Sequence, residues 1–572
     1  MGLWLTEILF WSVFLALNSL NFVINYIFYA RESDFFPILR DFRVGNNLGL
    51  TESQNCDMFR FVAEFSLILL LSRIVDLSSF HALITGLYFL LLIFNIYQYA
   101  MRRTYHTEPV LFNDLKLLKN GISIVWHESP FKVLIFAALL IGFVISLDYF
   151  IQMMLVNNIQ QELTWFYMVA ASIWMIIMFR SILNMKGTYP LYPGDIYMRI
   201  HFTAVELWIN LKRSREHLQL SRQEFGSRYR KARKEISLTL NGTRPNVFFL
   251  FIESYGAYYF KEPALRKASL ETYQNFDSQL AKHGYYSNSI YSTSTAFGGQ
   301  SWLAYSSVLY GYEMNNNTLF ENHLNDPIFR QSNSLLHLFR NMGYKNYNLN
   351  PITPIVGINV PYDEMREFYA IDRWILNEDI NYNGDEYGWG ACAPDQYSMN
   401  FMMDLIKKEE PGPFTYFYLT KNSHSPFITP KFEQDWKSLN NQSEQEHIHR
   451  GFLANPEQAD YANAIQYEFD VIQDFITRHG SDQDIFLLIG DHQPPFLSDE
   501  KIHGRESPVH IFSKNEAFIN EFSHYGFQKD LDQLETNVRH ESLYSIFLNV
   551  FAKNYAHSYE NLPDYETEGI QL

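Results

Sequence analysis

The feature that most constrains this chain is a set of long apolar runs in its first third. A membrane-spanning helix needs about 20 predominantly apolar residues. Four runs lack Asp, Glu, Lys and Arg altogether: Ile8 to Ala30, His81 to Met101, Val133 to Leu147 and Leu163 to Phe179. A fifth run, Phe61 to Phe80, contains Glu64, Arg73 and Asp76, which we expect to face the helix bundle or the membrane interfaces. The sequence therefore predicts about five transmembrane helices.

The rest of the chain differs in composition from these runs. Residues 187–245 are amphipathic and then rich in Lys and Arg, which predicts a helical linker that either contacts anionic headgroups or is solvated. We therefore predict a transmembrane domain over 1–186, this linker over 187–245, and a separate C-terminal domain over 246–572. The net charge of −17 argues against a nucleic-acid partner. With two cysteines, the chain has neither a disulfide scaffold nor a multi-cysteine metal site.

After Pro245, short apolar runs alternate with helical periodicity. Val247 to Ile252, Phe414 to Leu419 and Ile485 to Ile489 have the continuous apolar character of buried parallel strands. A helical pattern covers Asp460 to Arg478. This alternation predicts an α/β domain with a mostly parallel sheet and helices on both faces.

Ligands of such sheets bind beyond the carboxyl ends of the strands. Glu253 follows the first predicted strand, His424 lies shortly after the second, and Asp491 and His492 follow the third. Carboxylates and imidazoles are ligand types for a divalent cation such as zinc, manganese or magnesium. The three strand ends together predict a metal site, although an Asp-His pair after a single strand is more often a turn.

A nucleophile is expected beside this metal. Gly298 and Gly299 form a tight loop before a predicted helix that runs from Ser301 to Tyr310. A hydroxyl at a helix N-terminus next to a cation has a lowered pKa and can attack phosphorus. Ser301 is the first choice and Thr295 the alternative, and the competing interpretation is that Ser301 only caps the helix.

Four segments together resemble the alkaline phosphatase/sulfatase superfamily. They are NVFFLFIES around Glu253, FGGQSWLAYSSVLYG around Ser301, KNSHSPF around His424, and LLIGDHQPP around Asp491 and His492. With the apolar N-terminal third, they are similar to its membrane-anchored phosphotransferase branch, which includes lipoteichoic acid synthase, phosphoglycerol transferases and phosphoethanolamine transferases. The resemblance implies that Glu253, Ser301, Asp491 and His492 bind the metal. It also implies that His424 contacts substrate or protonates the leaving group.

Other positions depart from that branch or leave two interpretations. Asn350 stands where a glycerol-phosphate-binding histidine is expected, and Ile358 where an arginine is expected. The segment from Tyr387 to Tyr397 either shapes a substrate pocket or is structural. In the first case, the substrate contacts are Trp389, Asp395 and Gln396.

The resemblance implies an integral membrane enzyme. The predicted function is transfer of a phosphorylated headgroup, phosphoethanolamine or phosphoglycerol, from a membrane phospholipid donor to an envelope glycan or lipid acceptor, through a covalent Ser or Thr intermediate. The alternatives are a phosphodiesterase or sulfatase-like hydrolase with the same site, and a non-catalytic envelope protein that retains the fold. The family implies a multi-pass protein of the cytoplasmic (inner) membrane with its catalytic domain on the periplasmic or extracellular face. The distribution of Lys and Arg in the predicted loops favours the opposite orientation.

Overall fold

We analysed a computed structural model of the 572-residue chain. The structure describes residues 8–20, 61–105, 109–112, 114–115, 126, 130–158, 169, 200–201, 203–220, 225–352, 354, 360–388, 390–409, 412–440, 446–448, 457–529, 531 and 536–571. The chain divides into two compact units. The first comprises Met1–Arg103 with Thr107–Glu216, and the second comprises Thr104–His106 with His217–Leu572.

The described part of the first unit is mainly helical. Its helices are α1 (Ile8–Leu20), α2 (Ala63–Ser72), α3 (His81–Tyr105), α4 (Pro130–Asn158) and α5 (Thr203–Leu220), the last of which continues into the second unit. Two short strands, β1 (Phe61–Val62) and β2 (Ile200–His201), pair in parallel. Helices α3 and α4 are long and apolar enough to cross a membrane. They coincide with two of the predicted spans.

The predicted span Phe61 to Phe80 is not a continuous helix. Helix α2 ends at Ser72, and a turn and the short 3-10 helix Ser78–Phe80 follow. The physical reason lies in the charged residues of this segment, because Asp76 Oδ1 accepts a hydrogen bond from the backbone N–H of Ser78, 2.9 Å away, and so favours a turn. The second half of the first predicted run and nearly all of Leu163 to Phe179 lie outside the described residues. The count of five spans stays a prediction.

The second unit is built on an eight-stranded sheet with the strand order β13-β5-β12-β11-β4-β9-β6-β7. Its strands are β4 (Val247–Ile252), β5 (Tyr286–Thr293), β6 (Lys345–Asn350), β7 (Arg373–Leu376), β9 (Phe414–Leu419), β11 (Ile485–Gly490), β12 (Glu506–Ser513) and β13 (Thr536–Arg539). Strand β12 is antiparallel to both of its neighbours, and the remaining pairs are parallel. The predicted mostly parallel sheet is confirmed, and the three predicted strands form its centre.

Helices cover both faces of this sheet. They are α6 (Phe225–Ala232), α7 (Tyr258–Lys261), α8 (Arg266–Lys282), α9 (Ser301–Tyr310), α10 (Asn317–Asn325), α11 (Pro327–Arg330), α12 (Leu335–Asn341), α13 (Tyr362–Phe368), α14 (Asp395–Glu409), α15 (Gln458–His479), α16 (Glu500–His503), α17 (Glu516–Glu521) and α18 (Ser542–Tyr555). Two small sheets complete the unit: β3 (Ser237–Leu240) with β14 (Ala556–Glu560), and β8 (Glu386–Tyr387) with β10 (His447–Ile448).

Strand β4 shows why the central runs are apolar without alternation. Phe249 and Phe251 lie in the hydrophobic cluster on one face of the sheet, whereas Phe248 and Leu250 lie in the cluster on the other. Both faces are covered by helices, so every side chain of β4 is buried. Replacing one of these phenylalanines by alanine costs about 3–5 kcal/mol of unfolding free energy. This packing holds β4, and therefore the residue that follows it, in place.

The predicted linker is only partly described. Its C-terminal residues pack into the second unit, because Tyr229 of α6 is fully buried in one of the two hydrophobic clusters and β3 pairs with β14. The domain boundaries at 186 and 245 stay predictions.

Candidate metal centre

The carboxyl ends of the three central strands meet at one edge of the sheet. Strands β11, β4 and β9 are adjacent and parallel, so the residues after them come together. The backbone N–H of Glu253, directly after β4, donates to Oγ1 of Thr420, directly after β9, over 3.0 Å. On the other side, the backbone N–H of Asp491, directly after β11, donates to the carbonyl of Ile252. These hydrogen bonds fix the three strand ends relative to one another.

Three side chains at this edge form a compact group of metal-ligand atoms. Glu253, Asp491 and His492 each offer one ligand atom, and these atoms lie within 4.8 Å of one another. Nε2 of His492 is 3.3 Å from Oε1 of Glu253 and 3.3 Å from Oδ2 of Asp491. All three residues are buried. The structure thus brings together three of the four strand-end residues that offer metal-ligand atoms, and His424 is not part of this group.

The carboxylate of Asp491 shows an unused acceptor. Its Oδ1 accepts hydrogen bonds from the backbone N–H groups of Ser254 and His492 at 2.8 and 2.7 Å. Its Oδ2 is buried and accepts none. Burial raises the pKa of Asp491 well above its ordinary value, and the neighbouring Glu253 carboxylate raises it further. A buried carboxylate oxygen without a donor is a costly arrangement that a bound cation relieves.

His492 presents a lone pair to the same point. Its Nδ1 lies 2.9 Å from the carbonyl oxygen of Gln493, which can only accept, so Nδ1 carries the proton. Nε2 therefore keeps its lone pair on the side of Glu253 and Asp491. Burial also lowers the pKa of His492, which favours the neutral ring. A ring oriented by a backbone carbonyl is the usual arrangement of a metal-binding histidine.

These residues fit a divalent cation. Two carboxylates and one neutral imidazole are a donor set for zinc or manganese, and the carboxylates also suit magnesium. The chain's own charges favour an ionised Glu253. Burial alone would raise the pKa of this carboxyl group, but the positive charge of Lys421 and the hydrogen bond from Ser301 act to lower it, and the pKa lies below its ordinary value.

Ser301 lies against this group at the start of α9. Its Oγ donates to Oε2 of Glu253 over 2.9 Å and is 3.4 Å from Nε2 of His492. The N-cap residue of α9 is Gln300, in a left-handed conformation with φ 64°, and it makes no side-chain cap. The capping interpretation of Ser301 is therefore wrong. Its hydroxyl points into the metal-ligand group rather than back along the helix.

The alternative nucleophile, Thr295, has a different partner. Its Oγ1 lies 3.1 Å from Oγ of Ser307, a residue of α9 one and a half turns beyond Ser301. Its backbone carbonyl accepts a hydrogen bond from Arg505. Among the described residues, Thr295 makes no hydrogen bond to Glu253, Asp491 or His492. The geometry favours Ser301 as the nucleophile, and the role of each hydroxyl stays a prediction.

His424 lies in the turn after β9. Its Nδ1 is 2.7 Å from the carbonyl of Ser425, so Nδ1 is the donor and the ring is oriented by its own turn. His424 is partly exposed, and its electrostatic influence reaches Glu253. This position suits a group that contacts substrate. The substrate role of His424 stays a prediction.

Of the three predicted substrate contacts, the structure describes two, and both are buried. Trp389 lies outside the described residues. Gln396 is buried, and its side chain exchanges two hydrogen bonds with the backbone of Glu433. Asp395 is also fully buried and bonded to protein groups, as described below. These contacts favour the structural interpretation of the segment from Tyr387 to Tyr397, although the substrate role itself is untested.

Sequence reasoning missed two residues that shape the site. Ser254 has φ 58°, donates its backbone N–H to Asp491, and donates its hydroxyl to Oε1 of Glu253 over 3.0 Å. Gln493 holds the other side, because its Oε1 accepts from the backbone of Tyr258 and its Nε2 donates to the carbonyl of Glu506. Both are polar residues after a strand, and nothing in the sequence separates them from ordinary turn residues.

Comparison with known proteins gives one family match and several similar folds. A family model described as Sulfatase matches residues 245–520, a segment that holds every residue of the candidate centre. No curated protein matches the sequence.

Solved structures resemble the chain at low identity. The integral membrane lipooligosaccharide phosphoethanolamine transferase A of Neisseria meningitidis is 12% identical, with 97% of each chain covered and a TM-score of 0.48. The lipoteichoic acid synthase LtaP of Listeria monocytogenes is 14% identical, with 50% of this chain and 71% of that chain covered and a TM-score of 0.33. The Streptococcus pyogenes phosphoglycerol transferase GacH is 12% identical, with 60% and 85% covered and a TM-score of 0.32.

Proposed function

We propose that this protein is a metal-dependent, membrane-bound phosphotransferase of the alkaline phosphatase superfamily, and the match of residues 245–520 to the family model described as Sulfatase supports this. It transfers a phosphorylated headgroup, phosphoethanolamine or phosphoglycerol, from a membrane phospholipid to an envelope glycan or lipid. The observation that carries the proposal is the contact of Ser301 Oγ with Glu253 and its closeness to His492, inside a buried group of two carboxylates and one imidazole.

The first step of the reaction uses this contact. The hydroxyl proton of Ser301 is directed to Oε2 of Glu253, which leaves an Oγ lone pair for phosphorus. Oγ forms a bond to phosphorus, and the bond between phosphorus and the diacylglycerol oxygen breaks. The leaving alcohol takes up a proton, and His424 at the edge of the site is the proposed donor.

The second step regenerates the serine. The hydroxyl of the acceptor gives its proton to His424 and attacks the phosphorus of the Ser301 phosphodiester. The Oγ–phosphorus bond breaks, Oγ of Ser301 takes back the proton from Glu253, and the headgroup phosphate passes to the acceptor oxygen. Glu253, Asp491 and His492 would hold a divalent cation, which would supply the Lewis-acid charge that favours an ionised serine and the anionic phosphoryl group. Glu253 also touches Ser301, so it couples the nucleophile to the metal ligands.

The apolar helices α3 and α4 support the membrane part of the proposal. A diacyl phospholipid is insoluble, so an enzyme that consumes it gains from a site anchored at the bilayer surface. We further propose that the catalytic unit faces the periplasm or the cell exterior, as the family implies.

The test is a search for the covalent intermediate. The metal-loaded protein is incubated in vesicles that contain phosphatidylethanolamine or phosphatidylglycerol, quenched in acid, digested and analysed by mass spectrometry. We expect a headgroup phosphate on the peptide that contains Ser301, retained in Thr295→Ala and lost in Ser301→Ala. An adduct on Thr295, or diacylglycerol release without any adduct, would contradict the proposal.

Product analysis separates transfer from hydrolysis. With a glycan acceptor present, a transferase yields a modified glycan. If only the free headgroup phosphate accumulates with and without acceptor, water is the acceptor and the protein is a hydrolase.

A further inference from the structure

Two buried carboxyl groups lie outside the candidate metal centre. Asp395 is the first residue of α14, and Glu468 lies in the middle of α15. Both are 0% exposed. The proposed chemistry uses neither of them, yet a buried carboxyl group is costly to keep without a purpose or a partner.

Asp395 is bonded to the turn that follows β9. Its Oδ2 accepts hydrogen bonds from the backbone N–H groups of Lys421 and Asn422, both over 2.7 Å. Its Oδ1 accepts from the hydroxyl of Tyr418 over 2.6 Å. In return, the backbone N–H of Asp395 donates to Oδ1 of Asn422 over 2.7 Å. One carboxylate therefore holds two consecutive backbone amides of the turn.

This turn forms one wall of the candidate centre. It begins at Thr420, whose Oγ1 accepts the backbone N–H of Glu253, and it ends at His424. The backbone N–H of His424 donates to the carbonyl of Lys421, so His424 is placed by the same residue that Asp395 holds. A shift of Lys421 and Asn422 would thus displace His424 relative to the metal ligands.

Glu468 lies beside Asp395, and both of its carboxyl oxygens are buried. Its carboxyl group interacts with the carboxyl group of Asp395 and with Ser423 of the same turn. Burial raises the pKa of Glu468 well above its ordinary value, and the charge of the adjacent Asp395 raises it further. Two adjacent buried carboxyl groups cannot both be ionised at low cost. Burial raises the pKa of Asp395 as well, but its three hydrogen-bond donors act to lower it, so the charge is favoured on Asp395 and the neutral form on Glu468.

Resting on the proposed function, we propose that Asp395 and the buried Glu468 form a carboxyl pair that positions the Lys421–His424 turn for catalysis. Asp395 thus acts as a positioning residue for His424 and does not contact the substrate. Glu468 fills the space behind it without adding a second charge.

The pair is tested with matched variants of the full-length protein. Asp395→Asn removes the negative charge that three donors share, and its N–H₂ must face either the two backbone donors or the hydroxyl of Tyr418. Glu468→Gln keeps the shape and the neutrality of the native side chain. Tyr418→Phe removes one hydrogen-bond donor from Asp395 and provides a second test if Asp395→Asn does not fold. Asp470→Asn changes an exposed carboxylate on the same helix as Glu468 and is the control.

Hydrogen exchange gives the first readout and does not depend on activity. We expect the amides of Lys421 and Asn422 to exchange roughly 10-fold or more faster in Asp395→Asn, because a charge-assisted hydrogen bond is lost. Tyr418→Phe gives a smaller increase, and Glu468→Gln and Asp470→Asn leave exchange within about twofold of the native protein.

Kinetics give the second readout. For headgroup transfer, we expect Asp395→Asn to lower kcat about 10- to 100-fold with little change in KM, as a displaced general acid does. In the His424→Ala background the same change should lower kcat by less than about threefold, because residues that act through one another are not additive.

The outcomes separate the two proposals. Native exchange of the turn in both Asp395→Asn and Tyr418→Phe, a fully additive effect with His424→Ala, or a Glu468→Gln variant as impaired as Asp395→Asn would overturn the positioning role. If the native protein transfers no headgroup while exchange responds as expected, the proposed function fails and the positioning role stands.

Discussion

The candidate centre predicts that Asp491→Asn is more stable than the native protein without metal and less stable than it with metal bound. In this variant, Oδ1 of the amide keeps its two backbone hydrogen bonds from Ser254 and His492. The amide N–H₂ replaces Oδ2, which accepts no hydrogen bond in the native protein, and it faces the carboxylate of Glu253. The substitution therefore removes a buried negative charge and adds a donor at the point where one is missing.

The size of the effect follows from the spacing of the ligand atoms. Two unit charges at 4.8 Å, the upper bound for this group, repel by about 3 kcal/mol at an effective dielectric constant of about 20. Burial and the Glu253 carboxylate raise the pKa of Asp491, so a proton on Asp491 would relieve part of this repulsion. We expect the metal-free variant to be more stable than the metal-free native protein by about 1–3 kcal/mol, which raises Tm by about 2 °C for each kcal/mol.

Metal reverses this order. Zinc or manganese at about 100 times its Kd stabilises the native protein by about 2.7 kcal/mol. The variant lacks one of three ligands and gains far less. Thermal unfolding of the purified protein with chelator, and then with added metal, measures both states. Asp482→Asn, which changes an 88% exposed carboxylate, is the control.

Either of two results would refute this reasoning. One is a metal-free Asp491→Asn protein that is less stable than the native protein. The other is a variant whose Tm rises with metal as much as that of the native protein.

Three further predictions concern single side chains. Ser301→Ala should lower kcat at least about 10³-fold with unchanged metal content, measured by headgroup release, and residual activity above one-tenth of the native rate would exclude Ser301 as the nucleophile. Burial lowers the pKa of His510 to about 3, so its neutral form contributes stability that is lost as pH falls below about 6.5. His510→Gln should reduce the loss of unfolding free energy between pH 7 and pH 5 by about 2 kcal/mol, and an unchanged pH dependence would contradict this. Gly490→Ala should lower the unfolding free energy by about 3 kcal/mol, because a Cβ would lie 1.9 Å from the carbonyl oxygen of Tyr255. A loss below about 1 kcal/mol in chemical denaturation would contradict this and show that the backbone at the end of β11 shifts to make room.

The central strands of the sheet could be predicted from the sequence because the pattern that marks them lies within a few consecutive residues. The runs that form β4, β9 and β11 are continuous and apolar, and the polar residues directly after them mark the strand ends. Parallel strands bring those ends to one edge, which is why the placement of Glu253, Asp491 and His492 could be predicted. The helix from Ser301 to Tyr310 was likewise predicted with the bounds that the structure shows.

The remainder depends on contacts between distant residues. Strand β5, Tyr286–Thr293, contains several serines and an asparagine, so its sequence lacks the apolar pattern of a strand inside a sheet. The carboxyl groups of Asp395 and Glu468 come from separate helices, and no sequence pattern links them. The break after Ser72 also depends on local hydrogen bonding by charged and polar side chains, which hydropathy alone does not capture.

The central claim is that Glu253, Asp491 and His492 hold one divalent cation beside Ser301. Anomalous diffraction at the zinc or manganese absorption edge, from crystals of the metal-loaded protein, tests it most directly. We predict a strong peak within about 2.0–2.3 Å of a ligand atom of each of the three residues. A peak bound elsewhere, with these three side chains still hydrogen-bonded only to protein, would contradict the account.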